Sequence, residues 1–319
     1  MRSRYNNEKY LKHFLHSPIM PLKLSAFPKC YIEKIAGERT MTVFEWIEMA
    51  KELDADGLEM FEGFFTSLEP GYIDSVGEAI RKAGFVMPML CCSPDFSHPN
   101  ADDRKRAIDH EAEMIRVTRR LGGPGAVCRV LSGQRHPGVD RKQGLEWVVA
   151  CINEVLPVAR ENDVVLGLEN HYKDSFWKYP EFAQKKDVFL ELVNSISDRK
   201  NFGVQYDPSN AVVAGDDPVD LLRAIADRVV SMHASDRYLA KGTSLDSLRQ
   251  ADGTIGYSPN LLHGVTGKGL NDYDSILGIL AEHKYRGWIS IEDGMNGMDE
   301  MAESLAFLRR MTAKYFPDA

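Results

Sequence analysis

The chain has 319 residues, which is enough for one large core or for two domains. Hydrophobic residues make up 44% of it and charged residues 27%, which is ordinary for a globular protein. The formal net charge of −8 argues against a nucleic acid or an anionic membrane as partner, because phosphate binding needs a concentrated basic surface. No apolar run approaches the roughly 20 residues that span a bilayer. Five cysteines without a CxxC pair give no disulfide framework, so we expect a cytoplasmic protein.

Short apolar runs alternate with amphipathic helical patterns along the chain. The runs lack the strict alternation of half-exposed strands, which is typical of parallel strands covered on both faces. Segment 42–53 places Val43, Trp46 and Ile47 on one helical face. The predicted strands are 22–27, 57–60, 85–91, 125–131, 164–169, 202–207, 229–235 and 288–293. The predicted helices are 42–53, 72–83, 101–121, 140–161, 184–196, 217–226, 272–284 and 299–313.

Eight strands and eight helices in alternation predict a single (β/α)8 barrel, the TIM-barrel α/β fold, over residues 21–319. Residues 1–20 form an N-terminal arm outside this repeat, either a short helix over the barrel bottom or an oligomer arm. They carry charges throughout and lack the apolar core of a signal peptide. The interval after strand seven exceeds one repeat, so we expect an inserted loop at 239–266 that forms a lid over the pocket.

Four side chains of metal-binding type fall near the ends of the last four predicted strands. They are Glu169, Asp207, His233 and Glu292. Since the active site of a parallel barrel lies at the carboxyl ends of its strands, these side chains are expected to converge. Oxygen ligands with one imidazole suit a divalent ion such as Mn²⁺, Mg²⁺, Co²⁺ or Zn²⁺. A single glutamate at a strand end often only pairs with an arginine, but four such residues in order favour a metal site.

Four motifs give the chain a resemblance to a known superfamily. They are GLENH at 167–171, YDPSN at 206–210, MHASD at 232–236 and the closing stretch GKGLNDYDSILGILAEHKYRGWISIED. In their order and spacing the chain resembles the xylose-isomerase-like TIM-barrel superfamily of sugar isomerases and epimerases, over nearly all residues after 20. Keto-sugar 3-epimerases of this superfamily bind one divalent metal through Glu, Asp, His and Glu. The resemblance implies that Glu169, Asp207, His233 and Glu292 are these ligands, with Mn²⁺ the favoured ion.

The resemblance implies a metal-dependent isomerase or epimerase of a small sugar. A proton next to a carbonyl is too weakly acidic for a carboxylate to remove alone. A metal chelated by the sugar's oxygens stabilises the enediolate. In these enzymes two glutamates, here Glu169 and Glu292, move protons as base and acid on opposite faces of the sugar. Family members are often dimers or tetramers, so a homo-oligomer is expected.

Several residues near the strand ends have two open interpretations. His171 follows Glu169 by two residues and would share its inward face, so it either donates to substrate or bonds a neighbouring loop. Asp236 either orients His233 or pairs with Arg237. Glu59 fits a structural ion pair better than a pocket role. Phe176, Trp177 and Tyr179 either line a sugar pocket or anchor a loop, and Arg129 and Gln134 at strand four are candidates for contacts to an oxygen-rich substrate.

Two positions depart from the epimerase pattern. The histidine expected three residues after the strand-six aspartate is Asn210, and the arginine expected six residues after the metal histidine is Leu239. Arg237 is the nearest replacement. Because both missing groups normally hold the sugar near its carbonyl, the pattern indicates a retained metal site with a changed substrate contact. Asn210, Arg237 and Asp236 are therefore candidates for substrate binding.

Three other functions stay open on the sequence. A lyase or dehydratase would use the same first step for β-elimination on an inosose or a 3-keto-glycoside, with His171 as acid or base. A DNA-repair nuclease of the endonuclease IV branch would need several more histidines, including one at the position of Asn210. The last alternative is a metal-free scaffold or carbohydrate-binding subunit, which would hold no metal ion.

Overall fold

A computed structural model describes residues 22–174, 176–252, 258–292 and 294–317, so the predicted arm at 1–20 lies outside the described residues. The strands of the barrel occur where the apolar runs predicted them, whereas β10 falls in the segment predicted as an inserted loop and β9 leads into it. The run at 85–91 gives a strand only from Met89, because Pro88 has no amide hydrogen for the ladder. The strands are β1 (Leu24–Ala26), β2 (Gly57–Leu58), β3 (Met60–Phe61), β4 (Met89–Cys91), β5 (Val127–Val130), β6 (Val165–Glu169), β7 (Phe202–Tyr206), β8 (Val229–Ala234), β9 (Asp236–Leu239), β10 (Leu261–Gly264) and β11 (Trp288–Ile291).

Nine of these strands form one parallel sheet that closes on itself. Its hydrogen-bonded order is β2-β1-β11-β8-β7-β6-β5-β4-β3. The two strands at its ends, β2 and β3, are halves of one extended segment that is interrupted at Glu59. Eight barrel staves therefore surround the axis, and the predicted (β/α)8 barrel is confirmed. The carboxyl ends of all staves meet at one rim, which is where barrel active sites lie.

Helices cover the outside of the barrel. A capping box between Thr42 and Glu45 starts the first helix. The helix that follows β7 was not predicted. The described helices are α1 (Val43–Met49), α2 (Pro70–Lys82), α3 (Ala101–Gly122), α4 (Arg141–Glu161), α5 (Lys186–Ser195), α6 (Pro208–Ala214), α7 (Pro218–Ile225), α8 (Leu245–Asp252), α9 (Tyr273–Glu282) and α10 (Met298–Tyr315).

The main core fills the barrel and the layer between the sheet and its helices. Trp46, Phe189 and Leu166 are among its fully buried side chains. Each such aliphatic or aromatic side chain contributes about 1.5–3 kcal/mol by leaving water, so this layer fixes the strands that carry the rim residues. Within the described residues, no helix combines the length and the apolar composition that crossing a membrane requires.

The segment predicted as an inserted loop forms a β-hairpin with a short helix. β9 and β10 pair antiparallel, and α8 lies between them in sequence. Leu248 and Leu261 of this insertion pack with Val212 and Val213 of α6 in a small apolar cluster of their own. The insertion is therefore anchored over α6, which starts directly after the β7 strand end.

Gly203 lies on β7 in close contact with β8 and the residue before it. A Cβ at this position would lie 2.3 Å from Val230 Cγ1 and 2.7 Å from the Arg228 carbonyl oxygen. We predict that Gly203→Ala lowers the free energy of unfolding by about 1–3 kcal/mol, because a backbone atom must move to make room. Thermal or urea unfolding measures this change. Gly71→Ala in α2 is the control, since a Cβ added there would meet nothing within 4 Å. Equal stability of both variants would contradict this packing.

Candidate metal centre

The four residues of the predicted ligand set converge at the carboxyl rim of the barrel. Glu169 ends β6, Asp207 follows β7, His233 lies near the end of β8 and Glu292 follows β11. One ligand atom from each lies within 4.8 Å of the others. All four residues are buried, so the cluster is shielded from solvent.

The ring of His233 is fixed from behind. Its Nε2 lies 2.6 Å from Glu59 Oε1, and this pair is fully buried. Its Nδ1 faces the cluster, at 3.2 Å from Glu169 Oε1, 3.6 Å from Glu292 Oε2 and 4.0 Å from Asp207 Oδ2. When Nε2 carries its proton toward Glu59, the Nδ1 lone pair points at the three carboxylates, which is the arrangement of a metal-binding histidine.

Glu169 is the most tightly held carboxylate of the cluster. Arg129 Nη1 donates to its Oε2 at 2.8 Å, and Asn210 Nδ2 donates to its Oε1 at 3.1 Å. Burial opposes its ionisation, but the charges of Arg129 and His233 outweigh burial and lower the pKa of Glu169 to about 2. Glu169 is therefore an ionised group with a fixed orientation.

Asp207 is the carboxylate of the cluster whose hydrogen-bond donors, among the described residues, are neutral groups. The Ser235 hydroxyl shares its proton between both oxygens, at 2.9 and 3.1 Å, and the backbone amide of Asn210 donates to Oδ1. Burial, together with the charges of Glu292 and Glu169, raises the pKa of Asp207 to about 7. The cluster thus carries more negative charge than its own basic groups balance well.

Glu292 closes the cluster on the pocket side. Lys29 Nζ lies 3.3 Å from its Oε2. Burial opposes its ionisation, yet Lys29 and His233 hold the pKa of Glu292 well below its usual range. Lys29 follows β1 by three residues, so it stands at the same rim as the ligands. Lys29 was not predicted from the sequence, although it follows the end of a barrel strand just as the four cluster residues do.

This donor set fits a divalent cation. Three buried carboxylates that face one imidazole nitrogen are costly unless a positive charge lies among them. Oxygen donors with a single nitrogen donor suit Mn²⁺, Mg²⁺, Co²⁺ or Zn²⁺. The orientation of His233 by Glu59, with its free nitrogen toward the carboxylates, is the observation that the fit depends on.

A pocket opens beside the cluster. Glu292 and His171 line it, together with Lys29, Arg129 and Phe176. His171 Nδ1 lies 3.5 Å from Glu181 Oε2, so Nε2 is the ring nitrogen that remains for a ligand. Burial opposes a charge on His171, but Glu169 and Glu181 raise its pKa. Glu181 was not identified from the sequence, since it lies on a loop well after β6 and not at a strand end.

Other predicted contact residues have structural partners. The Asp236 carboxylate accepts hydrogen bonds from the backbone amides of Gly267, Gly269 and Asn271, at 2.9–3.1 Å. It therefore holds a loop, whereas the sequence suggested that it orients His233 or pairs with Arg237. The carboxylate that contacts the far side of the His233 ring, at Nε2, is that of Glu59. Gln134 accepts the amides of residues 178 and 179 and acts as a loop anchor.

The aromatic candidates after β6 divide into two groups. Trp177 is buried with its ring edge toward His171, at 6.4 Å between ring centres. Phe176 lines the pocket and is 72% exposed. Tyr179 packs against His136 with ring centres 5.6 Å apart. Phe176, and not Trp177, is therefore the member of this group that a sugar in the pocket could stack on.

Two further groups of ligand-type side chains share no residue with this centre. Asp95, His98 and His136 meet in the loops after β4 and β5, and Cys92, Glu111 and Cys128 meet under α3. His136 Nε2 is already paired with Asp95, at 2.8 Å. The four-residue set at the rim is the largest of the groups in the described part of the chain.

A family model matches most of the chain. The model described as the xylose isomerase-like TIM barrel matches residues 47–311. The chain belongs to this family. The resemblance inferred from the four motifs is thereby confirmed.

Relatives within and around the family are distant. An inosose dehydratase from Geobacillus kaustophilus is 30% identical over 159 residues, which are 48% of this chain and 47% of that protein. The chain spans about half the length of the curated relatives it matches.

Two solved structures show the same fold. One is a D-tagatose 3-epimerase-like protein, with a TM-score of 0.71 and 17% identity over 93% of this chain and 99% of that one. The other is the IOLI protein with a binding zinc atom, with a TM-score of 0.68 and 16% identity over 92% and 98%. At these identities the two structures establish the barrel and nothing finer.

Glu59 and Asp236 separate two accounts of how His233 is oriented. We predict that Glu59→Gln lowers the affinity for Mn²⁺ by about 10- to 100-fold, because the ring loses the charge that fixes its tautomer. Asp236→Asn is the matched control, since Asp236 contacts backbone amides and not His233. Titration of metal-free protein with Mn²⁺ by calorimetry checks both. A loss in Asp236→Asn as large as in Glu59→Gln would refute this assignment.

Proposed function

We propose that this protein is a divalent-metal-dependent isomerase or epimerase that moves a proton next to the carbonyl of a sugar. The observation that carries this proposal is the convergence of Glu169, Asp207, His233 and Glu292 within 4.8 Å, with the imidazole held by Glu59. We propose these four side chains as the ligands of one ion, with Mn²⁺ as the favoured metal. The IOLI neighbour, whose structure holds a binding zinc atom, supports a divalent metal ion in a protein of this fold.

The bound cation would polarise the sugar carbonyl and stabilise the charge that develops on its oxygen as the proton leaves. The protein's own groups then divide the work. Glu169 is saturated by Arg129 and Asn210 and has no exposed side-chain surface, which suits a ligand better than a moving base. Glu292 is the carboxylate that lines the pocket, so we assign it the removal of the proton.

His171 is the second proton-transfer group in this proposal. It lines the same pocket, and Glu181 occupies the side of its Nδ1. A proton held at Nε2 would thus face the substrate. General acid–base help of this kind is worth typically 10²–10⁴-fold in rate. In this proposal Glu292 and His171 take the places of the two glutamates that the resemblance implied, because the Glu169 side chain has no exposed surface.

A lyase reaction is the second candidate. The observation that favours it is His171 in the pocket, since an imidazole can protonate a departing hydroxyl or glycosidic oxygen. The 30% identity to an inosose dehydratase supports the same interpretation. Both candidates begin with loss of a proton next to a carbonyl and differ only in whether a group then leaves.

The test is deuterium incorporation from D2O. Mn²⁺-loaded protein is incubated with ketohexoses, inososes and 3-keto-glycosides, and the metal is chelated before proton NMR. Deuterium at a carbon next to the carbonyl supports the proposal, and an epimer or an eliminated fragment then identifies the reaction class. Absence of exchange across the panel, with one metal ion bound, contradicts proton-transfer chemistry on these substrates.

His171 gives a sharper prediction because it is not a proposed ligand. We predict that His171→Gln slows deuterium incorporation by about 10²–10⁴-fold while the bound metal content stays at that of the wild type. His98→Gln, which removes an imidazole from another loop, is the control and leaves the rate unchanged. Exchange at the wild-type rate in His171→Gln would remove His171 from the mechanism.

A further inference from the structure

Arg237 is a buried cation beside the pocket. It lies on β9 of the inserted hairpin, and only 6% of its surface is exposed. Its Nε has no hydrogen-bond partner among the described residues. The guanidinium lies 5.6 Å from the centre of the Tyr172 ring, and Tyr172 lines the pocket. Because an unpaired donor on a buried cation is costly, this position favours a ligand that brings an acceptor.

The pocket wall is rich in positive charge. Lys29, Arg129, His171 and Lys173 line it, against the carboxylates of Asp174 and Glu292. The acids are already engaged, since Lys29 pairs with Glu292 at 3.3 Å and the Ser93 hydroxyl donates to Asp174 at 2.8 Å.

Lys173 is the wall cation that remains available. It has no ion-pair partner in the part of the chain that the structure describes, and it is half-buried in the loop after β6. Arg129, by contrast, is committed to Glu169 at 2.8 Å. Lys173 and Arg237 therefore add positive charge to the pocket beyond what its acids balance.

The hairpin brings a third basic residue to the same side. His263 on β10 pairs in register with Arg237 on β9. Burial, followed by the charges of Lys29 and Arg237, lowers the pKa of His263 to about 3. His263 is therefore a neutral ring that lies beside Arg237 in the hairpin and is close enough to Lys29 for its charge to act.

We propose that the substrate is an anionic sugar, whose carboxylate or phosphate group is bound by Arg237 and Lys173. This inference rests on the proposed function, because it places the sugar's carbonyl end at the metal centre and its anionic end at the hairpin. A planar guanidinium whose Nε is unpartnered among the described residues matches an oxygen of either anion. The inserted hairpin would thus select the substrate by charge through Arg237.

The experiment compares three sugars that differ at one end. D-Fructose is neutral, D-fructuronate carries a carboxylate at the same terminal carbon, and D-fructose 6-phosphate carries a phosphate there. Calorimetric titration of Mn²⁺-loaded protein is expected to show at least one anionic sugar binding about tenfold or more tightly than fructose. The better of the two anions identifies the group. No preference for either anion, including no binding of any of the three sugars, overturns the inference.

Charge-removing variants locate the anion. Arg237→Gln and Lys173→Gln are each expected to reduce the anion preference about tenfold, with fructose binding unchanged. Lys178→Gln is the matched control, because Lys178 lies on the same loop but is exposed and stacks on Tyr179. Since Lys173 is only half-buried, its variant tests the inference even if Arg237→Gln fails to fold. A preference that persists in Lys173→Gln and in every folded Arg237 variant contradicts this site.

The inference and the proposed function fail in different ways. Deuterium exchange on a neutral keto sugar, without any anion preference, overturns the inference and leaves the proton-transfer proposal standing. Anion preference that depends on Arg237 and Lys173, without exchange on any substrate, supports the binding site and contradicts the proposed reaction.

Discussion

The concentration of buried negative charge at the carboxyl rim is the constraint on which the rest of the site depends. Glu169, Asp207 and Glu292 come from three different staves of the barrel and meet around one imidazole. Each carboxylate needs compensation, since an unpaired buried charge costs several kcal/mol. Arg129 compensates Glu169 and Lys29 compensates Glu292, while the hydrogen-bond donors to Asp207 in the described part of the chain are a hydroxyl and a backbone amide. A divalent cation would complete this balance, and its binding affinity would come from the repulsion among the carboxylates that it relieves.

The barrel supplies the rigidity that such a cluster needs. His233 is held by Glu59, which lies between β2 and β3 on the second strand position of the barrel. Asn170 ties the ends of β6 and β7 together through the backbone of Asp207, at 2.7 and 2.9 Å. These contacts fix ligand direction before any ion binds, which is how neighbouring groups raise metal affinity.

The fold could be predicted because parallel strands leave a simple record in the sequence. Apolar runs separated by amphipathic helices located all eight staves, and the strand-end rule located the four members of the rim cluster. The helix α6 was missed even though Asp207 and Pro208 are a strong N-cap and first-turn pair, because the strand-end rule treats Asp207 only as a ligand. Its side chain does both, since one oxygen caps the helix and the carboxylate faces the cluster.

Partnerships between distant segments could not be predicted. Glu59 lies 174 residues from His233, and Glu181 reaches His171 from a loop that has no periodic pattern. Asp236 illustrates the converse, because its position three residues after His233 suggested a contact with that ring, whereas its carboxylate accepts hydrogen bonds from the backbone amides of Arg237 and Gly267. Sequence spacing predicts which face of a strand a side chain lies on. The partner that contacts a histidine ring from a distant segment is decided by tertiary packing.

Anomalous X-ray diffraction from crystals grown with Mn²⁺ tests the central claim most directly. We predict one strong peak among Glu169, Asp207, His233 and Glu292, with His233 binding the ion through Nδ1 and Glu59 hydrogen-bonded to its Nε2. No peak at this cluster, or a dominant peak at Asp95, His98 and His136, would contradict it. An ion bound through His233 Nε2 would contradict the role given to Glu59 in the same experiment.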